Sequence, residues 1–82
     1  MFAPMPRERL SHVLAEMVAN VLEIEVAPGD EVAIGQSVVL LESMKMEIPV
    51  PSEHAGTVRA VKVAPGDVVQ EGDVLVELLL TD

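Results

Sequence analysis

"VAPGD" stands at Val26–Asp30 and returns at Val63–Asp67, 37 positions later. Extending the offset lays Asn20–Glu42 over Thr57–Leu79, and ten of those 23 pairs are identical. Beyond the pentapeptide the identities are Val21/Val58, Val32/Val69, Gly35/Gly72, Val39/Val76 and Leu41/Leu78. Two copies are too few for a solenoid, in which each unit needs stacked neighbours to bury its apolar face. A tandem pair predicts instead one compact domain with a pseudo-two-fold axis.

Each copy reads as strands joined by tight turns. In "VLEIEV" (Val21–Val26) apolar residues alternate with Glu23 and Glu25, the period of a half-buried strand. That phase predicts Leu22, Ile24 and Val26 in the core. "VRAVKV" (Val58–Val63) follows suit, with Val61 and Val63 inward and Arg59 in the slot of Leu22, its stem packed and its head in water. Pro28-Gly29 and Pro65-Gly66 fit type II turns, because Pro fixes φ at the first central position and Gly supplies positive φ at the second. "SVVLLE" and "VLVELLL" then read as strands with Val39, Leu41, Val76 and Leu78 inward.

From Leu10 to Leu22 the apolar spacing is helical. The repeat opposes a helix there. The same offset matches Ser11–Glu16 to Ile48–Glu53, whose Pro49 and Pro51 cannot sit inside a helix. The repeat constrains tertiary structure and the spacing does not, so His12–Met17 is expected as a strand. Residues 1–11, with Pro4 and Pro6, are expected as a flexible tail and residues 12–82 as the domain. The expected fold is all-β: a flattened barrel-sandwich of two four-stranded antiparallel sheets.

Composition narrows the function. The net charge is −9, so no basic stripe could neutralise phosphates, which argues against nucleic acid and anionic membrane surfaces as partners. The longest uncharged interior run, Val32–Leu41, has ten residues and is too short to span a bilayer. There is no cysteine, and the acids are scattered with no metal-ligand spacing. No export signal is read near Arg7 and Arg9, and a cytoplasmic location is expected.

The chemistry is expected at "ESMKMEIP" (Glu42–Pro49). The offset carries Lys45 onto position 82, so the lysine hairpin lies opposite the chain termini. A short turn at a sheet end is a surface feature. His12 and His54 have no third partner in the sequence and receive no role.

"ESMKM" in this setting resembles the attachment motif of the biotin carboxyl carrier family, whose tip often reads Glu-Ala-Met-Lys-Met. Here Ser43 replaces Ala. The resemblance spans about residues 12–80. It implies biotin joined covalently to Lys45, with Glu42, Met44 and Met46 read by partners, and Glu47 less clearly so. The implied partners are a biotin protein ligase, a biotin carboxylase and a carboxyltransferase, with the domain a non-catalytic carrier between the last two. A lysine amine is protonated near neutral pH, and nothing adjacent here can remove the proton, so the ligase must supply the base. The chain lacks the thumb insertion of some members. It has Ala19-Asn20 where many carry Gly-Thr; Asn tolerates left-handed backbone, and a turn is expected there. A lipoyl carrier shares the fold but usually presents Asp-Lys-Ala, and an unmodified adaptor module is the remaining alternative.

Overall fold

The computed structural model describes residues 8–81. Eight strands run in order: β1 (Glu8–Leu14), β2 (Ala19–Ile24), β3 (Glu31–Val32), β4 (Ser37–Ser43), β5 (Met46–Pro51), β6 (Gly56–Val61), β7 (Val68–Val69) and β8 (Val74–Thr81). They form two four-stranded antiparallel sheets, ordered β1-β8-β6-β3 and β5-β4-β2-β7. The offset carries one sheet onto the other, strand for strand. The all-β sandwich and its internal symmetry are as expected.

The tandem repeat reaches the irregularities. Bulges interrupt β2–β4 between Val21 and Glu23, and β6–β8 between Val58 and Ala60. Each position is 37 residues from its mate. The breaks in β4–β5 at Ser37/Val39 and in β1–β8 opposite Val74/Val76 obey the same rule. Turns repeat as well. The N–H of Asp30 donates to Ala27 C=O at 3.0 Å, and the N–H of Ala27 donates back to the Asp30 carboxylate at 2.9 Å. Asp67 and Ala64 close the second copy with the same two distances. Gly29 and Gly66 both have φ of 95°, as the Pro-Gly turns require.

The core is aliphatic. Val26, Val39, Leu41, Val76 and Leu78 are buried as expected, and Ile24, Val61 and Val63 pack against them half-buried. Leu22 is a correction. It is the extra residue of the β2 bulge and is 36% exposed, while Val21 is buried. A bulge inserts one residue and shifts the alternation by one. Ala19 and Val21 therefore point inward before it, and Ile24 and Val26 after it. Arg59 occupies the same bulge position in β6 and is exposed.

Two boundaries also differ. The first strand is Glu8–Leu14, not His12–Met17, because Glu8–Leu14 pairs along β8 in the register Glu8↔Thr81 to Leu14↔Val74. Residues 8–11 thus belong to the sheet and not to the tail; residues 1–7 lie outside the described residues. Ala19-Asn20 is extended within β2 and makes no turn. Gly56, at the place of Ala19, is held by packing: a Cβ there would meet Leu80 Cδ2 at 2.7 Å and Leu79 O at 2.8 Å.

Candidate functional site: the Lys45 hairpin

β4 and β5 are joined by two residues. Ser43 pairs with Met46, and Met44 and Lys45 form the turn. Their φ angles are 52° and 66°, both left-handed, as in a type I′ hairpin. This turn matches the right-handed twist of the strands, which is why two-residue hairpins favour it. Its usual residues are Asn and Gly. A side chain bearing Cβ costs about 1–2 kcal/mol in the left-handed region. Here a methionine and a lysine both carry that cost, at the one place where the chemistry was expected. Such strain persists only when the surrounding structure fixes it; the paired strands β4 and β5 do so.

The turn lifts its side chains into solvent. Met44 is 92% exposed and Met46 65% exposed, and Lys45 is exposed between them. Among the described residues, Lys45 Nζ has no hydrogen bond or ion pair. Glu42 is half-buried on β4 and lies directly opposite Glu47 on β5. Like charges in such a pair repel. Their mates under the offset, Leu79 and Leu10, are also directly opposite each other but apolar. The strand framework therefore does not require acids at these positions. All five residues, Glu42 and Met44–Glu47, lie within one hairpin.

Ser43 does more than replace an alanine. Its hydroxyl donates to Val18 C=O at 3.3 Å, across 25 positions of sequence, and ties the hairpin base to the β1–β2 loop. No periodicity signals this contact. The same loop adjoins the start of β8: Ala15 N–H donates to Asp73 C=O at 2.9 Å. β8 then runs away from the hairpin over about 23 Å to Thr81, at roughly 3.3 Å per residue. Thr81 pairs with Glu8, so the ends of the described chain lie together at the pole opposite Lys45.

His12 and His54 are remote from the hairpin and line a groove between the edge strands β1 and β5. His12 Nε2 lies 3.5 Å from Glu77 Oε2, which also meets Lys62 Nζ at 3.9 Å. Among the described residues no group of three His, Asp or Glu side chains is arranged to hold a metal ion.

Comparison with known proteins bears on what the hairpin carries. A family model described as "Biotin-requiring enzyme", of the biotin/lipoyl type, matches residues 10–78. A Mycobacterium leprae protein named "Biotinylated protein TB7.3 homolog" is 56% identical over 63 residues, covering 77% of this chain and 89% of the relative. The dihydrolipoyllysine-residue acetyltransferase component of the Pseudomonas aeruginosa pyruvate dehydrogenase complex is 45% identical over 59 residues, covering 72% of this chain and 11% of that protein. Among solved structures, the Kluyveromyces lactis urea carboxylase superposes with a TM-score of 0.81 at 26% identity, covering 95% of this chain and 7% of the enzyme. The match of fold, hairpin and sequence along nearly the whole described chain leaves one assignment: the chain belongs to the biotin/lipoyl attachment domain family.

Proposed function

We propose that this domain is a biotin carboxyl carrier protein, in which biotin is joined to Lys45 and shuttles a carboxyl group between a biotin carboxylase and a carboxyltransferase. The observation that carries the reading is Lys45 itself: exposed, unpartnered, and held at the tip of a strained two-residue turn between Met44 and Met46. An amine so placed fits acylation. The bond formed is an amide between Lys45 Nζ and the biotin carboxyl carbon; the adenylate leaving group departs as AMP and the amine proton passes to a base on the ligase. The ureido ring of the bound biotin supplies the carboxyl-accepting chemistry. The domain contributes position, since a fixed turn holds the amine at one place and lowers the entropy cost of bringing the reactants together.

Met44 and Met46 offer soft, adaptable contact surface to successive partners. Glu42 adds charge at the rim of that surface, where it tunes association. The resemblance to urea carboxylase and to a relative named as biotinylated supports the carboxylase setting.

A lipoyl carrier is the second reading, favoured by the similarity to the acetyltransferase component. The Met-Lys-Met tip weighs against it. Intact mass of the protein after co-expression with a biotin protein ligase or a lipoate ligase separates the two. A biotin increment that disappears in Lys45→Arg, with an unchanged circular dichroism spectrum, is expected. A lipoyl increment, or label that survives in Lys45→Arg, would overturn the reading.

A further inference from the structure

We propose that the outer edge of β1 is a self-association site, through which two copies of this chain join their first sheets into one continuous sheet. β1 and β5 are mates under the 37-residue offset, and both are edge strands. An edge strand leaves half its N–H and C=O groups unpaired and templates the addition of another strand. The two edges are guarded unequally. β5 carries Pro49 and Pro51. Proline has no N–H, so an edge strand tolerates it only where the N–H would point away from the sheet. The β5 edge is thereby stripped of donors at two successive outward positions.

The mates of Pro49 and Pro51 in β1 are His12 and Leu14. Their N–H groups must point the same way, outward from β8. The neighbouring contact confirms the phase: Ala15, one residue on, donates its N–H to Asp73 C=O and accepts from Gly72 N–H, toward β8. Even-numbered positions of β1 therefore present donors and acceptors to the free edge. No described strand pairs with them, and the groove between β1 and β5 leaves that edge open. The protection present in one half of the repeat is missing from the other.

A second copy fits this edge. Antiparallel pairing of β1 with itself, centred on His12, sets His12 against His12 of the second copy and Leu10 against Leu14. All these are outward-donor positions, so they meet as hydrogen-bonded pairs. Leu10 and Leu14 are among the half-exposed large apolar residues, on the solvent face of the sheet, and this register brings them together twice. The alternatives centred on Ser11 or Val13 oppose each leucine to a histidine or a glutamate. Strand addition over so short an edge buries little surface and gives a weak dimer, with a dissociation constant of about 0.1–1 mM. The two Lys45 hairpins then lie at opposite ends of the joined sheet. The proposal does not depend on what Lys45 carries.

The test is sedimentation equilibrium of the full chain from 10 μM to 2 mM, with amide hydrogen exchange read in parallel. The expected result is a mass rising toward twice the monomer's, with exchange at Leu10, His12 and Leu14 slowing as concentration rises. His12→Pro copies the residue that β5 already tolerates at this place; it should raise the dissociation constant at least about tenfold by removing the central donors. Leu14→Lys, which keeps the backbone donor but puts charges on the shared face, should do the same and decides the matter if the proline variant unfolds. A protein that stays monomeric at 2 mM, or dimers unaffected by a folded variant of either kind, would overturn the proposal.

Discussion

Met44→Asn should make the domain more stable and a poorer substrate for the proposed biotin protein ligase. Met44 has φ of 52° and is 92% exposed. Its side chain buries almost nothing, so truncation forfeits almost no hydrophobic stabilisation. Its backbone sits where a Cβ is penalised. Asparagine is several-fold enriched in that region, and a three- to five-fold preference corresponds to about 0.6–1 kcal/mol. For a domain of this size, 1 kcal/mol moves the melting midpoint by roughly 4–8 °C. The expected gain is therefore about 2–8 °C for the unmodified protein, followed by circular dichroism at 218 nm with urea unfolding as a second measure. The initial rate of biotinylation should fall, because the soft side chain beside Lys45 is gone. A midpoint that drops or does not move would show that the turn stores no strain and that its left-handed geometry is cheap for this sequence.

Three further expectations follow from the described geometry. Gly56→Ala should destabilise by about 1–3 kcal/mol through overpacking, since the new Cβ would meet the Leu79 carbonyl at 2.8 Å, which cannot rotate away; thermal melts check this. Leu22→Arg should change stability by no more than about 0.5 kcal/mol, because its mate Arg59 occupies the same exposed bulge position; denaturant midpoints that shift further would place Leu22 back in the core. Glu42→Lys should slow biotinylation at low salt and lose that effect as salt rises, with the fold intact; equal rates for mutant and parent across the salt series would remove Glu42 from the recognition surface.

The fold was legible in the sequence because the chain states it twice. A helical apolar pattern across Leu10–Leu22 competed with the strand reading, and Pro49 and Pro51, 37 positions after His12 and Leu14, decided against it. What escaped was local. Strict alternation from Leu22 to Val26 puts Leu22 inward, and the adjacent apolar pair Val21-Leu22 does not say which of the two the bulge turns outward. Arg59 in the matching slot is the signal that decides: a charged residue where a core position is expected. The sequence pattern starts the first strand four residues late because Glu8–Ser11 shows no alternation, and its place is set by pairing with Leu78–Thr81 at the far end of the chain. The place of Lys45 at an exposed hairpin tip was legible by its motif and by the offset. The left-handed turn beneath it was not, since neither Gly nor Asn announces it, and the Ser43 tether to Val18 joins two segments with no shared pattern.

The pairing of Glu8 with Thr81 makes the backbone almost a closed ring. Under the offset, Met44 and Lys45 fall on Thr81 and position 82, so the hairpin bridges one pole with two residues while, among the described residues, the other pole is joined by the pairing of β1 with β8. Among the described residues, covalent continuity distinguishes the hairpin pole from its mate. A permuted chain, opened between Met44 and Lys45 and closed by a two-residue link from Leu80 to Arg9, the mates of Ser43 and Met46, would follow the same strand path with its ends exchanged for its tip. Were Met-Lys used as that link, the reactive end would move to the opposite pole; were both bridges kept in a cyclised chain, the domain would offer an amine at each end.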